Sequence, residues 1–268
     1  MTWTIQPRSE GAGWLAYWRA GSGPVLILIH GVGLRAEAWA GVVPTLSGHF
    51  DIHCVDIPGH GASALRNEQS LDNYVDRFEA FASGFGGPIF VAGHSMGAMI
   101  MLELAARMPE HVAGIAALNA IYRRSPEAAK AVQQRAAALR SDEVTSPDGT
   151  LTRWFGDAPE GALATARVTC KDWLTNADPV GYATAYSVFA HHDGPSDALL
   201  KNLTCPALFQ TGEADANSTP EMSRRMAALT RQNHAQTVPG AAHMMPMTHP
   251  DAVADALLKT FQPHPSRR

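Results

Sequence analysis

The stretch that decides the reading is Pro88-Ile89-Phe90-Val91-Ala92-Gly93-His94-Ser95-Met96-Gly97. Pro88–Ala92 is a short apolar run of the kind buried on both faces of a parallel sheet. The Ala-, Met- and Leu-rich segment Met96–Arg107 predicts a long helix directly after it. Between them Gly93-His94-Ser95-Met96-Gly97 fits the pattern G-x-S-x-G. A turn this tight forces the serine into a strained backbone, and only small residues two positions to either side avoid the adjoining strand and helix. It also lifts the hydroxyl clear of the sheet and sets it at a helix N-terminus, where the dipole favours developing negative charge. Ser95 is therefore a candidate nucleophile.

Working outward, Val25–Ile29 (VLILI) predicts another strand buried on both faces, and Trp14–Arg19, Asp51–Val55, Val112–Leu118, Ala207–Gln210 and Ala235–Val238 predict further strands. Helical patterns cover Glu37–Leu46, Leu71–Ser83, Pro220–Leu229 and Ala252–Phe261. Repeated alternation of strand and helix implies a mostly parallel central sheet with helices on both faces. The alternation stops between residues 120 and 203, which are helix-forming, with Ala128–Leu139 at helical periodicity and a turn at Ser146–Gly149. We therefore divide the chain into a core of residues 1–119 and 204–268 and a helical lid of residues 120–203, placed over the carboxyl ends of the strands where open α/β sheets bind ligands. Pro263–Arg268 reads as a frayed tail.

The chain has 268 residues, 46% hydrophobic and 17% charged, enough for a sizeable core. Its net charge of −4 gives no reason to expect a nucleic acid or an anionic membrane surface as partner. Met1–Glu10 lacks the apolar run of a signal peptide, and no stretch reaches the ~20 apolar residues of a membrane span. Three widely spaced cysteines without a C-x-x-C pair suit a reducing cytoplasm. The expected partner is a small molecule; a homodimer is an open option.

A serine nucleophile needs a general base, and the base an orienting acid. Among twelve histidines, His243 stands in Gly240-Ala241-Ala242-His243, directly after the last expected strand and before the final helix. His94 belongs to the serine turn itself and is read as pointing away from it. The acid is expected to end the preceding strand. Asp215 in Gln210-Thr211-Gly212-Glu213-Ala214-Asp215 fits, with Glu213 as local rival. The equivalent position after Val112–Leu118 is Asn119, which offers no carboxylate. Asp56 and His60, in Asp56-Ile57-Pro58-Gly59-His60-Gly61-Ala62-Ser63, are read as structural.

Taken together, HGVG (30–33), DIPGHGAS (56–63), GHSMG (93–97), GEAD (212–215) and GAAH (240–243) resemble the α/β-hydrolase superfamily along nearly the whole chain. The resemblance implies the order Ser95, Asp215, His243 for the triad and an oxyanion hole built from the backbone N–H groups of Val32 and Met96. It implies an acyl-enzyme hydrolase without metal or organic cofactor. A serine at position 95 separates the chain from the dehalogenases and epoxide hydrolases, which use aspartate there. Arg153-Trp154-Phe155 and Asp178-Pro179-Val180-Gly181-Tyr182 resemble the lid of 3-oxoadipate enol-lactonases and carboxylesterase-like enzymes, which makes Trp154 a candidate pocket residue as well as a candidate for lid packing. The expected reaction is cleavage of an ester or lactone of a small carboxylic-acid-type metabolite, as in aromatic catabolism. Carbon–carbon bond hydrolysis of meta-cleavage products and a ligand receptor on the same fold are the alternatives. Residues 120–200 hold eight basic and ten acidic side chains, so an anionic substrate would need a local arginine such as Arg123, Arg124 or Arg153.

Overall fold

In the computed structural model, which describes residues 3–141 and 146–261, eight strands form one sheet. They are β1 (Ser9–Gly11), β2 (Leu15–Gly21), β3 (Val25–Ile29), β4 (Asp51–Val55), β5 (Ile89–His94), β6 (Val112–Leu118), β7 (Ala207–Gly212) and β8 (Asn233–Val238). Their order is β1-β2-β4-β3-β5-β6-β7-β8, with β1–β2 and β2–β4 antiparallel and every other pair parallel. The α/β expectation is met.

The apolar runs form strands because both faces are covered. Successive side chains of a strand point to opposite faces, so Ile27 and Ile29 of β3 join one core cluster while Leu26 and Leu28 join the other. Helices α1 (Val43–Leu46) and α11 (Pro250–Phe261) cover the second face. Helices α2 (Leu71–Ala82), α3 (Met96–Arg107), α8 (Asp197–Asn202) and α9 (Pro220–Leu229) supply the first, and α10 (Met245–Thr248) precedes α11. Ser70 caps α2 by accepting from the Asn73 amide, so its N-terminus is fixed by sequence-local chemistry.

Between β6 and β7 the chain builds α4 (Pro126–Arg140), α5 (Asp148–Phe155), α6 (Gly161–Thr175) and α7 (Pro179–His191), followed by α8. A third apolar cluster joins Leu151, Trp154, Phe155 and Trp173 of this segment to Leu34 and Ala38 of the core.

Several boundaries differ from expectation. Glu37–Leu46 is not one helix but a 3-10 turn, Ala36–Trp39, and the short α1. The Ser146–Gly149 turn runs into α5 at Asp148, whose amide is bound by the Ser146 hydroxyl. The polar β1 carries no apolar signal and went unpredicted. Pro263–Arg268 lies outside the described residues. Among the described residues no helix is long and apolar enough to cross a membrane, and Cys54, Cys170 and Cys205 are all free thiols.

The sheet order determines where a site can form. From β3 the chain moves outward to β4, then returns to β5 on the other flank of β3. This reversal opens a crevice at the carboxyl ends of β3 and β5. The loop after β3 is His30-Gly31-Val32-Gly33, and the residue after β5 is Ser95.

Candidate active site

Ser95 sits between β5 and α3 with φ 56° and ψ −117°, a conformation that costs a non-glycine residue roughly 1–3 kcal/mol. The flanking glycines show why the chain accepts it. A Cβ on Gly93 would lie 2.2 Å from the Gly97 carbonyl oxygen, and one on Gly97 would lie 2.2 Å from the Ile29 carbonyl oxygen. Both obstacles are backbone and cannot move aside, so α3 approaches β3 and β5 this closely only without side chains. The Ser95 amide donates to the Leu118 carbonyl at 2.9 Å and ties the turn to β6.

Ser95 and His243 line the same cavity of about 310 Å³. His243 Nδ1 is 2.8 Å from Asp215 Oδ2, which leaves Nε2 as the ring nitrogen available to the cavity. Asp215 is 3% exposed and accepts from four donors. Asn119 Nδ2 binds Oδ2 at 2.7 Å alongside the imidazole, and the Asn217 and Ser218 amides bind Oδ1 at 2.8 and 3.1 Å. Burial by itself would raise the Asp215 carboxyl; the His243 charge and its hydrogen bond, with Asn119 and Ser218, outweigh burial and hold it below the usual carboxylate value. The rival Glu213 is exposed and accepts from the Gly240 amide at 3.0 Å, bracing the turn that carries the histidine loop.

Two residues at this centre were not assigned such roles from sequence. Asn119, set aside there for lacking a carboxylate, holds the acid; its φ of 49° is one that asparagine tolerates better than most residues. His94, read as pointing away from Ser95, lines the cavity, and its Nε2–H donates to the His243 carbonyl at 2.7 Å. Burial first, then the His243 charge, pushes His94 down to about 3, so it is a neutral brace and not a second base.

The loop after β3 is held from below. The Gly33 amide donates to His60 Nε2 at 2.9 Å, and the Ile57 amide to His30 Nε2 at 3.1 Å. Asp56 accepts from Arg8 Nε, the Ala36 amide and the Ala62 amide, at 2.7, 2.8 and 3.0 Å. Neither Asp56 nor His60 lines the cavity. This bracing leaves the Val32 and Met96 amides without an acceptor among the described residues. Val32 itself lines the cavity, and Met96 is buried at the first turn of α3, next to Ser95.

Trp154 closes one wall. Its ring lies 6.3 Å from that of His243 at 26°, nearly parallel, and it belongs to the apolar cluster that joins α5 and α6 to Leu34 and Ala38. It thus meets both the pocket and the packing descriptions. Of the three arginines singled out from sequence, Arg123 lies off the cavity and pairs with Asp197. Arg124 lines the cavity but is engaged by the His192 and Phe189 carbonyls and Asp193. Arg153 lines the cavity, as does Arg135, which was not anticipated.

A hydroxyl at a helix N-terminus and an imidazole anchored to a buried carboxylate at one cavity, with an unengaged amide on its wall and another next to the hydroxyl residue, are the parts required for acyl transfer through a serine. The comparisons place the chain among hydrolases. The chain is 38% identical to the (E)-2-((N-methylformamido)methylene)succinate hydrolase of Acinetobacter baylyi over 245 residues, 90% of this chain and 91% of that protein. It superimposes on a thermophilic esterase from Thermogutta terrifontis, solved with malate bound, with a TM-score of 0.79 and 26% identity over 91% of this chain and 92% of that one. The enol-lactonase of Burkholderia xenovorans shares the fold, with a TM-score of 0.82 at 23% identity, over 95% and 99% of the two chains. Residues 26–256 match the alpha/beta hydrolase family. The chain is an enzyme, a hydrolase belonging to the α/β-hydrolase family.

Proposed function

We propose that the enzyme cleaves an ester or lactone of a small carboxylic-acid-type metabolite through an acyl-enzyme on Ser95. The observation that carries this reading is the strained Ser95 opening onto the cavity it shares with His243, whose other ring nitrogen is held by Asp215. His243 Nε2 takes the Ser95 proton as Oγ attacks the acyl carbonyl. Asp215 fixes the tautomer and stabilises the imidazolium. The Val32 and Met96 amides receive the oxyanion, each contributing a factor on the order of 10²–10³ in rate. The imidazolium then protonates the departing alkoxide or enolate. Water, deprotonated by His243, next attacks the acyl-enzyme, and the carboxylic acid is released as the serine regains its proton.

The cavity supports a small substrate, since about 310 Å³ is near the lower end of the ~300–1,000 Å³ range for ligand sites. Trp154 supplies an apolar wall beside the base. A second reading is favoured by the 38%-identical relative, whose name specifies an N-methylformamido group on a methylene succinate: the same residues would attack a formamide carbonyl. Ser95→Ala is expected to abolish turnover of short-chain p-nitrophenyl esters while leaving the circular dichroism spectrum intact; retained turnover would overturn the assignment. Assaying an enol-lactone, an N-formyl enamine and a ring-fission diketone beside the ester ranks the bond classes.

A further inference from the structure

Three arginines line the cavity, and their partners differ. Arg124 is occupied, as above. Arg135 Nη2 donates to Thr150 Oγ1 at 2.6 Å, and Arg153 Nη2 reaches the same oxygen at 3.3 Å. Among the described residues neither forms an ion pair, and the buried Nε–H of Arg135 has no acceptor. Among the described residues no aspartate or glutamate lines the cavity.

Thr150 sharpens the point. A hydroxyl has two lone pairs and one proton. With both arginines donating to its oxygen, the hydroxyl has its O–H left to give. Thr150, Arg135 and Arg153 thus form a cluster that offers only donors and carries two positive charges, at the edge of a cavity in a protein of net charge −4. Tyr186 lies against the same group: Arg135 Cζ is 5.6 Å from its ring centre, and the charges of Arg135, Arg153 and Arg124 all bear on its hydroxyl. A partly buried guanidinium without an anion keeps a desolvation cost that a planar, doubly accepting anion relieves through paired N–H bonds.

We propose that Arg135, Arg153 and Thr150 form a carboxylate-binding subsite, which holds a free carboxylate of the substrate while a second acyl group of the same molecule faces Ser95. The substrate class is then the half-ester, lactone or N-acyl derivative of a dicarboxylic acid. This deepens the serine-hydrolase reading and rests on it for the reacting end only.

The test pairs three acid-bearing esters, the p-nitrophenyl half-esters of succinate, glutarate and adipate, with the uncharged butyrate, valerate and hexanoate esters. Wild type is expected to show a higher kcat/KM for the acid-bearing member of at least one pair. Arg135→Gln and the more exposed Arg153→Gln are each expected to lower that acid-to-neutral ratio ~10–100-fold, the worth of one charge-assisted hydrogen-bonded contact. Absence of an acid preference in all three pairs, or a ratio unchanged in both variants, would overturn the subsite. Free glutarate titrated calorimetrically into Ser95→Ala, with and without Arg153→Gln, reads the subsite independently of turnover. Binding weakened at least tenfold by the arginine change supports it, and equal binding refutes it. Failure of the serine reading alone would appear as Ser95→Ala turnover with that binding difference intact.

Discussion

Asn119→Asp puts the geometry behind Asp215 under direct strain. The new side chain has the same shape and tolerates the same left-handed backbone, so the position accepts it sterically. Its outer oxygen replaces Asn119 Nδ2, 2.7 Å from Asp215 Oδ2, at a site with no solvent exposure. Two full charges at that distance repel by ~6 kcal/mol at an effective dielectric of ~20, equivalent to ~4 pKa units. Both carboxyls therefore cannot ionise together near neutrality: one proton stays between them and the second ionisation is pushed well above the usual carboxylate range. The sign follows. Above the ordinary carboxylate range the folded variant holds one proton more than the unfolded chain, so its stability falls as pH rises, by ~1.4 kcal/mol per pH unit. Urea unfolding followed by tryptophan fluorescence at pH 5, 6, 7 and 8 should show the deficit relative to wild type growing by ~4 kcal/mol across the series. The pair keeps one negative charge for His243, whereas Asp215→Asn removes it and is expected to lower kcat by a factor of ~10⁴. A stability deficit that stays flat within ~1 kcal/mol from pH 5 to 8 would refute the Asn119–Asp215 contact as the reason Asn119 stands there.

Other perturbations reach the surrounding structure. Burial first, then the charge of a neighbouring histidine (His30 for His60, His243 for His94), brings His60 and His94 from 6.5 down to about 3. The unfolded chain thus takes up these protons first, and wild-type stability is expected to fall as pH drops from 6.5 towards 3, by up to ~1.4 kcal/mol per pH unit for each histidine. Urea midpoints at pH 7, 6, 5 and 4 measure this, and a flat profile down to pH 5 contradicts it. Trp154→Ala is expected to cost ~3 kcal/mol in the same assay, because the ring fills the cluster that joins α5 and α6 to Leu34 and Ala38. Trp154→Phe, which keeps an apolar ring and leaves a smaller cavity, should cost less than Trp154→Ala while altering KM for p-nitrophenyl esters; an unchanged KM in both variants would leave Trp154 with packing alone.

Much of the fold was legible because its determinants are local. VLILI is apolar at every position since both faces of β3 are covered, and the glycines around Ser95 announce a turn whose obstacles are backbone atoms at 2.2 Å. Asp215 and His243 could be placed because each follows a strand the pattern reveals. Partnerships across long sequence separations could not. Asn119 reaches Asp215 over 96 residues, and His94 reaches the His243 carbonyl over 149; nothing near either residue signals its partner. Arg135 was missed for a similar reason. On helical periodicity it is one polar residue of an exposed helix, and it meets Thr150 of α5 only in the tertiary structure. The helix expected over Glu37–Leu46 is interrupted by Gly41 and Pro44, the second of which has no backbone N–H to continue it and stands instead in the first turn of α1.

The central claim is that Ser95 is the acylated nucleophile. Fluorophosphonate labelling followed by peptide mass spectrometry tests it most directly. One covalent adduct is expected, on Ser95, absent from Ser95→Ala and formed far more slowly in His243→Ala. An adduct on another residue, or labelling of Ser95→Ala at the wild-type rate, would contradict it.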